Sequence, residues 1–183
     1  MRALRRRARD RRGPCVTGMR GKWGLTLVPA LVVVVLDQLT KAMIVARMEL
    51  HQSISIVDGF FALTYVRNTG AAFGIFSGSS PAVRVPLLLA VALLALLVLL
   101  WFVRTVPADR WPVIVACGGV LGGAIGNMID RAAYGEVIDF LDAYVGTYHW
   151  PAFNVADMAI SVGVVVLCLD ALRGAPEVER SPT

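Results

Sequence analysis

The sequence predicts an all-α integral membrane protein in which four transmembrane helices carry a small extracytoplasmic β-hairpin. Of its 183 residues, 57% are hydrophobic and 17% are charged, and the mean hydropathy is +0.67. A soluble domain would carry about 25% charged residues. Four apolar stretches reach or approach the ~20 residues that cross a bilayer as a helix. A disordered chain, a large multidomain enzyme and a disulfide-rich scaffold, which needs more than three cysteines, are therefore excluded.

The four predicted helices form a single membrane domain over residues 23–172. Backbone polar groups cannot be left unpaired in a bilayer, so we expect these segments to be helices that pack on one another. The first segment is interrupted by Asp37, Gln38 and Lys41, whereas the second contains no charged residue. The approximate bounds of the helices are 23–45, 85–103, 112–129 and 153–172.

A β-hairpin is predicted between the first two helices, over residues 52–66. Its two halves, 52–57 and 60–66, are rich in Ile, Phe, Thr and Tyr, which favour strands. Between them stands Asp58-Gly59, a pair typical of tight turns. We expect this hairpin to lie on the outer surface of the membrane.

The net charge of +5 comes from a tail rather than from a binding face. Residues 1–22 carry nine of the eighteen Lys and Arg residues and a local charge of +8, while the remainder of the chain sums to −3. This distribution argues against nucleic-acid binding and favours a tail that is attracted to anionic lipid. Arg104 and Arg110 in the second loop, together with the tail 173–183, lie on the same side of the membrane. The positive-inside rule therefore places both termini in the cytoplasm.

Motifs for metal binding and for a serine nucleophile are absent from the sequence. The two histidines, His51 and His149, form no His-Glu-x-x-His motif and no cluster with cysteines. The Gly-x-Ser-x-Gly elbow of serine hydrolases is also missing. We therefore expect neither a metal nor an organic cofactor.

Asp37 and Lys41 are ionisable residues inside the first predicted helix. An ionisable side chain at membrane depth is costly and is a functional candidate by default. The two residues stand four positions apart, so they share a helix face and can neutralise each other. A rise of ~1.5 Å per residue from Trp23 puts Asp37 about 21 Å along the helix, in the outer half of the membrane. We favour a structural ion pair of Asp37 and Lys41, and a direct role of the two residues in a reaction stays open.

Three further acids stand near the outer ends of the third and fourth helices. Asp130 is followed by Arg131, which we expect to hold it ionised as a scaffold carboxylate. Asp139 is predicted in a loop among apolar neighbours, which raise the pKa of a carboxyl group. Asp157 is expected about 6 Å below the outer surface, four residues into the fourth helix.

Asp139 and Asp157 are predicted to converge at the outer interface. Two carboxyl groups held close together cannot both ionise easily, so one of them keeps a proton near neutral pH. Such a pair can take a proton from water while it gives one to a carbonyl oxygen, which is peptide hydrolysis without a covalent intermediate. Proton relay and an ion pathway are equally compatible with the spacing.

Several short motifs, in one order across residues 36–160, resemble the signal peptidase II family of bacterial inner membranes. The agreement of independent motifs in a single order argues against chance, and the Arg-rich start touches none of them. The motifs are Leu36-Asp37-Gln38-Leu-Thr-Lys41, Asn68-Thr-Gly-Ala-Ala-Phe-Gly74, Gly122-Gly-Ala-Ile-Gly-Asn127-Met-Ile-Asp130-Arg131, Val137-Ile-Asp139-Phe140 and Pro151-Ala-Phe-Asn154-Val-Ala-Asp157-Met-Ala-Ile160.

The resemblance implies an aspartic endopeptidase with Asp139 and Asp157 as its catalytic dyad. Its substrates would be diacylglyceryl-modified prolipoproteins, cut just before the lipidated cysteine at the outer face of the inner membrane. The family's outer β-structure matches the hairpin predicted at 52–66. We expect contact with membrane lipid and a monomer. The supporting residues, whose individual roles stay open, are Asp37, Lys41, Asn68, Asn127, Asp130, Arg131 and Asn154.

Two functional hypotheses other than an enzyme remain. A transporter that relays protons through Asp37, Asp139 and Asp157 would need a polar group in the inner half of the membrane, and Asp170 is the candidate for it. A membrane adaptor that binds partners through the hairpin has no positive signal in the sequence. Incubation of the purified protein with a lipidated preprolipoprotein distinguishes the three hypotheses, since only a peptidase shortens this substrate.

Overall fold

The computed structural model describes residues 19–70 and 80–173. The basic tail up to residue 18, the motif residues 71–74 and the C-terminal residues 174–183 lie outside the described residues. The predictions made for those three segments therefore stay predictions.

Four long helices are present and confirm the predicted membrane architecture. They are α1 (Met19–Arg47), α2 (Pro81–Thr105), α3 (Trp111–Tyr134) and α4 (Val155–Arg173). Each is long and apolar enough to cross a bilayer. The predicted bounds were too narrow for α3, which continues past the apolar stretch to Tyr134 and therefore carries Asn127, Asp130 and Arg131 within the helix. Gly135 ends it with φ 74°, a left-handed conformation that glycine adopts without strain.

α3 is the most buried of the four helices and packs against both α1 and α4. Glycines on its surface allow this close approach. A Cβ added at Gly122 would lie 2.5 Å from the carbonyl oxygen of Ala30 on α1, and one at Gly123 would meet the backbone of α4. Gly126 lies directly against the carboxylate of Asp37. The small-residue pair Gly122 and Gly126 thus permits the contact expected of such a pair in membrane helices.

α2 lies at the periphery and packs on α3. Its large apolar side chains, such as Val91, Leu94 and Trp101, are mostly exposed in the protein. In a bilayer these side chains would face lipid, which is the surrounding that a charge-free segment requires.

The strands form one antiparallel sheet in the order β1-β2-β3-β4. β1 and β2 pair as the predicted hairpin, and Gly59 in the turn has φ 82°. The sheet is larger than predicted, because the segment after α3 returns to pair with β2. The strands are β1 (Ser53–Val57), β2 (Phe61–Asn68), β3 (Val137–Val145) and β4 (Tyr148–His149).

The prediction that Asp139 lies in a loop is wrong, since Asp139 is the third residue of β3. It stands opposite Val66 of β2 in the register of the two strands. The long-range pairing with β2 stabilises an extended conformation that the short stretch 137–140 did not reveal on its own.

An apolar cluster joins the sheet to the end of α1. Ile44 of α1 and Met48, directly after the helix, pack against the sheet. Their partners are Tyr65 of β2 and Ile138 and Phe140 of β3. The sheet is therefore fixed to the end of the bundle at which α1 and α3 end and α4 begins.

The glycine contacts give a first prediction. Gly122→Ala should destabilise the protein by about 1–3 kcal/mol, because the new methyl group overpacks the α1 backbone. Gly24→Ala on α1 is the matched control, since its methyl group would meet nothing within 4 Å. Thermal unfolding of the purified proteins in detergent measures both changes. Equal midpoints for the two variants would contradict the close packing at Gly122.

Candidate active site

Asp139 lies in β3 and receives two hydrogen bonds from amide side chains. Its side chain is nearly inaccessible, with 2% of the residue surface exposed. Asn68 of β2 donates from Nδ2 to Oδ2 at 3.1 Å, and Asn154 donates from Nδ2 to Oδ1 at 2.7 Å. Both oxygens of the carboxyl group are therefore held in place.

Asp157 lies in the first turn of α4 and is half-buried. Its Oδ1 accepts a hydrogen bond from Asn127 Nδ2 of α3 at 2.8 Å. Its Oδ2 accepts the main-chain N–H of Asn154 at 3.3 Å, while Asn154 Oδ1 accepts the N–H of Asp157 at 2.9 Å. This reciprocal arrangement caps the helix, as expected of an Asn and an acid three residues apart at a helix start. A carboxylate at this position also interacts favourably with the helix dipole.

The structure brings Asp139 and Asp157 together in one cleft of about 300 Å³. They come from two different elements, β3 and α4. Their convergence is the arrangement that the sequence predicted. The remaining lining residues are Asn68, Asn127, Arg131, Val137, Trp150, Pro151, Ala152, Phe153, Ile160 and Ser161. The cleft thus combines polar side chains near the acids with apolar walls.

Burial raises the pKa of the Asp139 carboxyl group to about 7, and the negative charge of Asp157 contributes to the rise. The amides of Asn68 and Asn154, and the more distant charge of Lys41, act in the opposite direction. Near neutral pH Asp139 can therefore hold a proton beside a second acid. This is the electrostatic condition that acid–base chemistry by two carboxyl groups needs.

A buried ion cluster lies behind the cleft, between α1 and α3. Lys41 Nζ contacts Asp37 Oδ2 at 2.8 Å, which is the predicted pair, and Asp130 Oδ2 at 2.7 Å. All three side chains are at most 2% exposed. Lys41 also donates to Asn127 Oδ1 at 3.1 Å, so the cluster is connected to the cleft through that amide.

The predicted pairing of Asp130 with Arg131 is wrong. Successive residues on a helix point in different directions, so Asp130 faces α1 while Arg131 faces the cleft. Asp130 pairs with Lys41 and accepts the N–H of Ile138 at 3.1 Å. Arg131 donates to the carbonyl oxygens of Asn127 and Gly70, both at 3.3 Å.

Gln38 is a residue of this cluster to which the sequence reasoning assigned no role. Its Nε2 lies within hydrogen-bond distance of Asp37 Oδ2 (3.2 Å), Asp130 Oδ1 (3.0 Å) and the carbonyl oxygen of Gly126 (3.2 Å). Its two N–H groups are shared among these three acceptors. The role of Gln38 could have been predicted from its position beside Asp37, because an amide inside an apolar helix needs a hydrogen-bond partner.

Groups of three or more His, Cys, Asp or Glu side chains that could hold a metal ion are not found within residues 19–70 and 80–173. His149 stacks on Tyr144 and contacts Asp142 at 3.0 Å, on the sheet rather than in the cleft. The cleft itself holds two carboxyl groups and the amide side chains that donate to them.

The chain is similar to known proteins over most of its length. The family model described as signal peptidase (SPase) II matches residues 29–173. The lipoprotein signal peptidase of Syntrophotalea carbinolica is 50% identical over 149 residues, which cover 81% of this chain and 91% of the relative. That of Syntrophus aciditrophicus is 44% identical over 154 residues, which cover 84% and 95% of the two chains.

Two solved structures share the fold. A bacterial membrane enzyme solved by the in meso method at 2.3 Å resolution has a TM-score of 0.76 and 30% sequence identity, covering 87% of this chain and 94% of its own. A second, at 1.9 Å resolution, has a TM-score of 0.73 and 32% identity, covering 82% and 94%. Because the family match runs from the first helix through Asp139 and Asp157 to the end of α4, the chain belongs to the signal peptidase II family of aspartic-type membrane peptidases.

Proposed function

We propose that this protein removes the signal peptide from diacylglyceryl-modified prolipoproteins by cutting just before the lipidated cysteine. The observation that carries the proposal is the cleft in which Asp139 and Asp157, held by amide donors, lie together. Family membership supplies the reaction class, and the relatives named lipoprotein signal peptidase supply the substrate class.

In the proposed mechanism the two acids share one proton and activate water directly. One carboxylate removes a proton from water as the water oxygen bonds to the scissile carbonyl carbon, and the other carboxyl group protonates the carbonyl oxygen. As the tetrahedral intermediate collapses, one of its hydroxyl groups returns a proton to the second carboxylate, the C–N bond breaks, and the proton taken from water passes to the leaving nitrogen. The dyad returns to its starting state, and the chain's own side chains suffice without a cofactor.

The cleft walls fit a substrate that stays in the membrane. A diacylglyceryl group resists extraction from lipid, because each buried CH₂ is worth about 0.8 kcal/mol. A site at the start of α4, with Trp150, Phe153 and Ile160 among its walls, meets such a substrate at the edge of the bilayer. Asn68 and Arg131 also line the cleft and are suited to bind the peptide backbone. All these residues come from one chain, so we expect a monomer to be active.

The proposed orientation puts the cleft at the outer face of the bacterial inner membrane and both termini in the cytoplasm. Lys22 Nζ donates to the carbonyl oxygen of Arg104 at 3.0 Å, which brings the basic start of α1 beside the end of α2. Arg110 and Arg173 belong to the same end of the bundle, and the sheet belongs to the other. The positive-inside rule then assigns the basic end to the cytoplasm.

The structure argues against the transporter hypothesis at Asp170, the residue on which that hypothesis depended. Asp170, the residue that would extend a relay toward the inner face, pairs with Arg110 Nη1 at 3.0 Å. Both side chains of this pair are at least 35% exposed. An exposed ion pair at the basic end of the bundle is not an intramembrane relay site.

Substitution of either acid tests the proposed dyad. Asp139→Asn or Asp157→Asn should lower the cleavage rate by about 10²–10⁴-fold, because an amide cannot exchange the proton. Asp142→Asn is the matched control, since Asp142 lies on the same strand but contacts Thr64 and His149 rather than the cleft. Purified variants are assayed for shortening of a lipidated preprolipoprotein. Retained cleavage by Asp139→Asn or Asp157→Asn would remove that residue from the dyad.

The raised pKa of Asp139 predicts the direction of two pH effects. Cleavage should fall as pH rises through about 7, because the dyad then loses its shared proton. The folded-state pKa exceeds the ordinary value of 3.8, so protonation stabilises the fold below about pH 4, and this stability is lost as pH rises through about 7. The midpoint of thermal unfolding should therefore decrease less between pH 4 and pH 8 in Asp139→Asn than in the wild type. Identical pH slopes would contradict the assignment.

Thiol labelling of intact cells tests the orientation. In a background without Cys15, Cys117 and Cys168, a cysteine replacing Tyr148, which is 76% exposed on β4, should react with a membrane-impermeant reagent. A cysteine replacing Asp109, in the loop between α2 and α3, should react only after the cells are lysed. The opposite labelling pattern would reverse the topology and place the cleft in the cytoplasm.

A further inference from the structure

Two asparagine side chains lie between the ion cluster and the two acids, and their neighbours determine which way each amide points. Asn154 Oδ1 accepts the main-chain N–H of Asp157 at 2.9 Å, and its Nδ2 donates to the carbonyl oxygen of Ile138 at 3.2 Å. An N–H can only donate and a carbonyl oxygen can only accept. The orientation of Asn154 is therefore fixed by the backbone, with its NH₂ group toward Asp139.

Asn127 is fixed in a different way, by a charged side chain. Its Oδ1 accepts a hydrogen bond from Lys41 Nζ at 3.1 Å, and its Nδ2 donates to Asp157 Oδ1 at 2.8 Å. Asn154 Nδ2 also lies 3.2 Å from Asn127 Oδ1, but its two N–H groups are shared with Asp139 and Ile138. If this amide turned over, its NH₂ group would face an ammonium and another NH₂ group, and its oxygen would face Asp157. A buried polar group without a partner is costly, so the reversed state is strongly disfavoured while Lys41 is present.

The ammonium group of Lys41 is itself held in one position by three hydrogen-bond acceptors. An ammonium has three N–H donors and no acceptor. Its three acceptors are Asp37 Oδ2 at 2.8 Å, Asp130 Oδ2 at 2.7 Å and Asn127 Oδ1 at 3.1 Å. All three donors are used, and the residue is 2% exposed.

We propose that Lys41 is a positioning residue that orients the Asn127 amide and thereby makes Asp157 the carboxylate and Asp139 the proton-carrying acid of the dyad. Asp157 then takes the proton from water, and Asp139 protonates the carbonyl oxygen. The proposal rests on the proposed function and assigns its two roles. The start of α4 favours the same assignment, since its dipole stabilises a negative charge on Asp157.

Other charged groups also act on Asp157 and must be separated from the effect of the amide. Lys41 and Asp37 act from α1, Arg131 acts from α3, and Asp139 acts from β3. Removal of Lys41 alone would change the local charge as well as the hydrogen bond. The test therefore compares variants whose charges are matched.

Two double variants remove the donor to Asp157 by independent routes. Lys41→Met with Asp130→Asn removes one positive and one negative charge and releases the Asn127 amide. Asn127→Leu with Asp130→Asn keeps Lys41 but leaves no N–H to donate to Asp157, and it carries the same charge as Asp130→Asn alone. Asp130→Asn alone is the control, because it retains the contact of Lys41 with Asn127.

The measurement is the pH profile of kcat/KM for a lipidated preprolipoprotein in detergent. The acid limb, where the general base becomes protonated, should move to higher pH by about one unit in both double variants. In Asp130→Asn it should not move up, since a negative charge is lost and the amide stays in place. If one double variant does not fold, the other decides the outcome.

A lower rate with an acid limb unchanged from the wild type would overturn the role of Lys41 and leave it a structural residue. An equal upward shift in Asp130→Asn alone would also overturn it. These outcomes are distinct from failure of the proposed dyad, which would appear as retained cleavage by Asp139→Asn or Asp157→Asn.

Discussion

The ion cluster of Lys41, Asp37 and Asp130 is the interaction on which the rest of the structure depends. It joins α1 to α3, and each carboxylate also accepts a main-chain N–H from a further element. Asp37 Oδ1 accepts the N–H of Ala156 in α4 at 2.9 Å, and Asp130 Oδ2 accepts that of Ile138 in β3 at 3.1 Å. Buried charges are strongly destabilising unless their partners satisfy them fully. The same three side chains therefore determine how three helices and a strand meet.

The glycines of α3 make this cluster possible. Gly126 leaves space for the Asp37 carboxylate, and Gly122 brings the α1 backbone close enough for Lys41 to reach across. Apolar burial gives little drive for helix association in lipid, so close van der Waals contact and buried hydrogen bonds must hold the bundle together. The packing surface and the ion cluster are therefore parts of one interface rather than separate features.

The cleft depends on that interface for its electrostatics. Asn127 connects Lys41 to Asp157, and Asn154 connects Asp157 to Asp139. The geometry of the acids therefore depends on two residues outside the cleft lining, Lys41 and Asn154. Hydrogen bonds and charges act more strongly in such a surrounding of low dielectric constant than in water. A pair of ordinary aspartates can thereby carry different protonation states near neutral pH.

The four helices and the hairpin could be predicted from the amino-acid sequence, because hydropathy, turn residues and helical spacing are local properties. The pair of Asp37 and Lys41, which stand one helical turn apart, was predicted in the same way. Three features became visible only in the folded chain: Asp139 lies in a strand, Asp130 pairs with Lys41 rather than with Arg131, and Gln38 joins the cluster. These features depend on partners that are distant in sequence, such as Asn127 for Lys41, 86 residues away. Local patterns carry no information about such pairings, which arise when α1, α3 and α4 pack together.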